Sequence, residues 1–140
     1  MFERRGDWGY DYDLHDSTHP VRMQWHFYDT SSLPVVVQSW ELPPGGDEGM
    51  HTHDRDENPK DEMYLVTEGQ GRMTVDGRVY DLGPGDAVFA AAGAEHDLVN
   101  IGDTHLRLIV VWGFHCHADY SRFGVAKAAH DRRRQPGAVS

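Results

Sequence analysis

Between Val21 and Asp29 the chain reads VRMQWHFYD, with Val21, Met23, Trp25 and Phe27 on one parity and Arg22, Gln24, His26 and Tyr28 on the other. Successive side chains of an extended chain point to opposite faces, so this alternation predicts a strand over 21–29 with one face toward a core. The stretch PVVVQSWEL (34–42) is rich in β-branched residues and stops at Pro43-Pro44-Gly45-Gly46, which predicts a second strand and a firm turn. Three short strands follow over 62–67, 71–75 and 78–82, separated by glycine-containing turns. The Asp76-Gly77 pair between the last two is a strong hairpin signal. GPGDAVFAA (83–91) leads to His96, and LRLIVVWGF (106–114) is a nearly continuous apolar run of the kind found in strands buried on both faces. Only 121–133 has a weak helical pattern. Residues 1–20 are aromatic and acidic and are interrupted by Gly6, Gly9 and Pro20, so they read as an arm lying over the domain. Short strands with regular turn signals spell an all-β sandwich or barrel. The expected organisation is an arm at 1–20, a barrel at 21–120 and a helical tail at 121–140.

Composition narrows the classes of function. A chain of 140 residues, 39% hydrophobic and 26% charged, is sized for one domain with a real core. The formal charge of −10 argues against phosphate-backbone binding and against docking on anionic membranes. The basic run Arg132-Arg133-Arg134 beside Asp131 reads as a solvated tail. No apolar run reaches the roughly 20 residues needed to cross a bilayer, and MFERRGDWGYDYDL has no apolar segment after its arginines, so no secretory signal is expected. Cys116 is the sole cysteine, which fits a reducing compartment. The expectation is a cytoplasmic protein with a small-molecule substrate, no nucleic-acid partner and no membrane partner.

The chemistry lies in GMHTHDRDENPKDEMYLVTEG, Gly49 to Gly69. In a strand His51 and His53 share a face, with Thr52 opposite, and two imidazoles so placed form a bidentate clamp for a metal. A carboxylate from a facing strand would complete a two-histidine, one-carboxylate set with open positions. Glu62 opens such a strand, and Tyr64 and Val66 share its face.

Two spacings extend this pattern. Gly45, five residues, His51-Thr52-His53, then Glu62, six residues and Gly69 form one. Gly85, five residues, Ala91-Ala92-Gly93, two residues, His96, three residues and Asn100 form the other. Together they resemble the two motifs of the cupin superfamily, with two departures. Eight residues rather than three or four separate His53 from Glu62, and Ala91 stands where the motif has proline. Glu57 lies nearer the usual position of the carboxylate, but Asn58-Pro59-Lys60 after it is turn-like. Glu62 keeps the spacing to Gly69, so residues 54–61 read as a lengthened hairpin loop, with Glu57 the alternative ligand.

The resemblance implies a double-stranded β-helix, a jelly-roll barrel, in which His51, His53, Glu62 and His96 ligate one divalent transition metal (iron, manganese, nickel, cobalt, copper or zinc). It also implies a homodimer. Glu62, as a ligand able to leave the metal and act as base, and Tyr64, as a donor or cavity wall beside it, are the candidate catalytic residues. The favoured activity is an oxygen-dependent dioxygenase, quercetinase-like, on a metal-chelating organic substrate. The alternatives are a non-redox lyase, isomerase, dehydratase or cyclase in small-molecule biosynthesis, and a non-catalytic ligand-binding cupin. His115 and His117 form a candidate second pair, weighed against a strand-end pair with ordinary bonds. His15, His19 and His26 read as surface or hydrogen-bonded histidines, and Trp112 as cavity mouth or core. Cys116 lacks an activating base. The acidic loop 54–61 and Asp7, Asp11, Asp13 and Asp16 would favour a cationic substrate if they bordered the cavity.

Overall fold

The apolar run at 106–114 is a central strand paired along both edges, with Leu106, Leu108 and Val110 buried on one face and Arg107, Ile109 and Val111 half-buried on the other. In the computed structural model, which describes residues 1–116 and 118–134, the described residues form ten strands and one helix. These are β1 (Tyr10–Tyr12), β2 (Val21–Trp25), β3 (Val36–Leu42), β4 (His51–Thr52), β5 (Lys60–Glu68), β6 (Gly71–Val75), β7 (Arg78–Leu82), β8 (Ala87–Ala90), β9 (Glu95–Asn100), β10 (Leu106–Phe114) and α1 (Gly124–Arg133). One sheet has the order β1-β2-β3-β10-β5-β8 and the other β4-β9-β6-β7. All neighbouring strands run antiparallel. The result is an all-β jelly roll with a short C-terminal helix. The end of the expected helical tail, 135–140, lies outside the described residues.

Alternation sets the core. Val21 and Met23 of β2, Trp40 and Leu42 of β3, Tyr64 and Val66 of β5, and Leu106, Leu108 and Val110 of β10 point inward from the larger sheet. Met73, Leu82 and Leu98 meet them from the smaller one. Cross-strand register fixes which side chains adjoin: Val110 lies opposite both Gln38 of β3 and Tyr64 of β5, and Glu62 lies opposite Trp112 of β10 and Ala90 of β8.

Two expectations need adjustment. The strand foreseen over 21–29 ends at Trp25, because Phe27 takes φ +51° and its carbonyl accepts bonds from the N–H groups of Thr30 and Ser31 at 3.0 and 2.9 Å. The first turn after Trp25 therefore curls away from the sheet. The strand placed at 62–67 begins two residues earlier, because Lys60 and Asp61 pair with Phe114 and Gly113 of β10. The segment before Pro20 contributes β1, which pairs antiparallel with β2 in the register Tyr10 to Met23. No helix among the described residues is long and apolar enough to cross a membrane.

Candidate metal centre

The site lies between the two sheets. His51 of β4 and His96 of β9 are direct cross-strand partners in the smaller sheet, and Glu62 projects toward them from β5 of the larger one. His53 follows β4 by one residue, where Gly93 N–H donates to its carbonyl at 2.9 Å. The turn that carries this contact forms without proline, since Ala94 N–H closes it onto the Ala91 carbonyl at 2.9 Å. One ligand-type atom from each of His51, His53, Glu62 and His96 lies within 4.8 Å of all the others. Glu62 and His53 are buried and His96 is 1% exposed. Glu57 sits in the exposed loop, where Asp54 Oδ1 accepts from its N–H at 2.9 Å; Glu62 is the carboxylate among the three imidazoles.

Hydrogen bonding decides what these rings present to one another. His51 Nδ1 is 2.8 Å from the Gly49 carbonyl and His96 Nδ1 is 2.9 Å from the Ala94 carbonyl. A carbonyl only accepts, so each ring carries a hydrogen on Nδ1 and, when neutral, turns a bare Nε2 lone pair inward. The Nε2 atoms of His51, His53 and His96 lie 3.9, 3.1 and 2.9 Å from Glu62 Oε2. Neutral lone pairs facing a carboxylate oxygen repel unless a proton or a cation lies between them, and His51 Nε2 is buried with no hydrogen-bond partner. This donor set fits a divalent cation, with backbone carbonyls fixing the tautomers of two ligands.

Charge in the cluster follows from the same contacts. Burial raises the Glu62 carboxyl pKa, but the three imidazoles around it, two of them within hydrogen-bond distance, outweigh that and hold the group far below the ordinary carboxylate range. For His96, burial pulls the pKa down, and the bonds to Glu62 and the Ala94 carbonyl more than reverse that, leaving it raised.

Behind Glu62 lies a second carboxyl with little signal in the sequence. Glu48 is 1% exposed, drawn inward because its N–H donates to the Leu98 carbonyl at 2.8 Å and Asp47 bridges to Val99. The Tyr64 hydroxyl lies 2.8 Å from Glu48 Oε1 and 3.0 Å from Glu62 Oε2. A phenol has one hydrogen, so it satisfies both carboxyls only if one of them carries a proton. Burial, and then the charge of Glu62, push the Glu48 carboxyl well above its ordinary value. Of the two carboxyls, Glu48 is therefore the one that holds a proton more readily, which leaves the Tyr64 hydrogen for Glu62. Tyr64 is fully buried and stands behind Glu62 as a donor.

The N-terminal segment supplies the other unforeseen residue. The His15 ring stacks on His51 with centroids 3.6 Å apart and 8° between planes, and meets His53 edge-on at 5.9 Å. Its pKa is lowered to about 4 by burial and by the neighbouring imidazoles. Thr18 anchors this segment by donating from N–H and Oγ1 to Asp47 Oδ1 at 2.7 and 2.8 Å. His15 carries no pattern signal, because its partners lie more than thirty residues away along the chain. Elsewhere, His115 pairs with Asp61 at 2.7 Å, while His117, the other half of the foreseen pair, lies outside the described residues. Cys116 is exposed. Asn100, the last motif residue, ties loops together rather than facing the site. Its Nδ2 donates to the Leu42 and Thr104 carbonyls at 3.0 and 2.8 Å, and its Oδ1 accepts from Gly102 at 2.9 Å.

A cavity of about 400 Å³ opens beside the cluster and is lined by His53, Glu62, Glu48 and His15 on the site side. None of the loop acids 54–61, nor Asp7, Asp11, Asp13 or Asp16, lines it.

Comparison with known proteins places this geometry. A family model described as "Cupin domain" matches residues 38–112. The "Oxalate-binding protein" of Thermotoga maritima is 31% identical over 71 residues, covering 51% of this chain and 55% of that protein. The chain spans about half the length of the curated relatives it matches. Among solved structures, a predicted oxalate decarboxylase from Thermotoga maritima aligns with a TM-score of 0.66 at 22% identity, over 76% of this chain and 92% of that one. A Cupin 2 conserved barrel domain protein from Salinispora arenicola aligns with a TM-score of 0.65 at 22% identity, over 94% of this chain and 98% of that one. At such identities the structural likenesses establish the fold alone.

Proposed function

The chain belongs to the cupin domain family, and from that premise we propose that it is a metal-dependent small-molecule enzyme in which His51, His53, Glu62 and His96 hold one divalent transition metal. The observation that carries this reading is the convergence of three buried imidazole Nε2 atoms on Glu62 Oε2. A metal held by these four side chains would supply Lewis acidity or redox chemistry toward an oxygen-rich, chelating substrate. The protein's own contribution is orientation. The Gly49 and Ala94 carbonyls fix two rings, Tyr64 fixes the carboxylate, and the barrel interior keeps bulk water from the reacting atoms.

The favoured reaction is oxygen-dependent cleavage of an enol- or catechol-like substrate, with Glu62, which lines the cavity, as the candidate base. A relative that binds oxalate supports chelation as the mode of recognition. The cavity of about 400 Å³ points to a larger molecule than oxalate. One observation favours a non-redox lyase or isomerase as the second reading: Glu48 is a buried carboxyl lining the same cavity, with Oε2 lacking any partner, and a carboxyl so placed suits proton transfer without an oxidant. Metal analysis of protein purified without an affinity tag, followed by turnover of catechol- and enediol-type substrates with and without oxygen, tests the proposal. Turnover that stops under anaerobic conditions is expected. Turnover that persists without oxygen and with zinc supports the second reading, and a protein that retains no stoichiometric metal refutes both.

A further inference from the structure

The wall of the cavity away from the imidazoles is built from large aromatic side chains, Tyr10, Tyr12, Trp25, Trp40 and Trp112, with two polar groups among them. One is Gln38, 4% exposed. Its Oε1 accepts from Trp40 Nε1 at 2.9 Å and from Trp112 Nε1 at 3.3 Å. Both indoles can only donate, so the amide orientation is fixed and the group Gln38 has left to offer is its NH₂, a donor. The other is Lys60, whose ammonium lies 4.6 Å from the centre of the Trp112 ring and makes no ion pair among the described residues. Apart from the phenol hydroxyls, which can donate or accept, this wall therefore offers a ligand two donors, one of them charged.

Lys60 and Glu62 are two residues apart on β5 and share a face, so their anchor points are separated by ~6.6 Å at ~3.3 Å per residue. Both side chains border the cavity, with the Lys60 ammonium beside the Trp112 ring. Resting on the metal-site reading above, we propose that the cavity selects a planar aromatic acid. One end of its ring bears the oxygens directed at the metal, its faces lie against the indole and phenol walls, and an anionic oxygen at the other end is held by the Lys60 ammonium and the Gln38 NH₂. This replaces the cationic substrate that the acidic segments suggested.

The test uses the whole metal-loaded protein and two probes of the same shape, 3,4-dihydroxybenzoate and its neutral isostere 3,4-dihydroxybenzamide. Binding is followed by calorimetry and by quenching of tryptophan fluorescence. A single charge-assisted contact predicts a preference of about tenfold for the acid. In Lys60→Met that preference collapses, in Lys60→Arg it is kept, and metal content stays equal in all three proteins. An amide that binds wild type as tightly as the acid, or a full acid preference in Lys60→Met, overturns the inference. The acid-to-amide ratio is also measured on metal-stripped protein. If the chain takes no metal, the enzymatic reading fails by that result alone, while the ratio still decides whether the wall selects an anion.

Discussion

Replacing Tyr64 by Phe removes one oxygen from a fully buried polar group and leaves the ring in place. The ring keeps its edge contacts with Trp40 and His96, both at 6.0 Å. Two carboxyls lose a partner. Glu62 Oε2 loses a hydrogen bond to a charged acceptor, an effect of about 1.5–3 kcal/mol, but it keeps its imidazole contacts, so the lower end applies. Glu48 loses more, because its Oε2 has no partner already and Oε1 is bonded only to Tyr64. The variant leaves that whole carboxyl buried without a hydrogen bond, at about 1–3 kcal/mol. The sum is about 2.5–4.5 kcal/mol for the metal-free protein, a fall in melting temperature of roughly 10 °C at this chain length. With metal bound, the cation itself holds Glu62, so the stability loss shrinks and appears instead as a metal affinity weakened about 10- to 100-fold. Urea denaturation with and without metal, combined with competition titration of the metal, measures both quantities. A loss below about 0.5 kcal/mol with unchanged affinity would show that the phenol does not link the two carboxyls.

His51→Ala and His96→Ala should each abolish stoichiometric metal and turnover together, read by elemental analysis, and normal metal in either variant would show the ligand set to be wrong. Metal affinity should rise with pH and then level off. Despite burial, its bond to Glu62 raises the His96 pKa, so a proton competes for Nε2 until the pH exceeds that raised value, whereas Glu62 remains a carboxylate throughout. Each displaced proton gives about tenfold per pH unit on the acid side, and an affinity that does not fall on acidification would contradict the raised His96 pKa. Gly49→Ala should free the N-terminal segment, because Gly49 has φ +89° and a Cβ there would lie 2.1 Å from the His15 carbonyl. Limited proteolysis should then cut before residue 20 at least several-fold faster than in wild type, and equal rates would mean that the stack on His51 is not held by this packing.

The strands were legible where neighbours in sequence are also neighbours in function. Alternation places Val21 and Met23, or Tyr64 and Val66, on a common face whatever else surrounds them. The histidine pair and the spacings around Gly69 and His96 were readable for the same reason. What escaped depended on contacts that no local period records. Glu48 follows a Pro-Pro-Gly-Gly turn in a segment with no alternation, and its bond to Leu98 with the neighbouring Asp47–Val99 bridge turns it inward. His15 looks like any polar loop residue until the arm folds back on β4. Phe27 continued a flawless parity, but its positive φ answers to Glu3, whose carboxylate accepts from the Phe27 N–H at 3.0 Å.

The last strand of the barrel is also one of its innermost. β10 is inserted between β3 and β5, so during synthesis both of those strands must wait, each with an open hydrogen-bonding edge, until residues 106–114 leave the ribosome. A nascent chain halted at Asn100 already contains every proposed metal ligand, yet it lacks the strand that seats Glu62 opposite Trp112. Assembly of the proposed metal site is thereby tied to completion of the barrel, and a product truncated there is a sheet fragment with open, sticky edges.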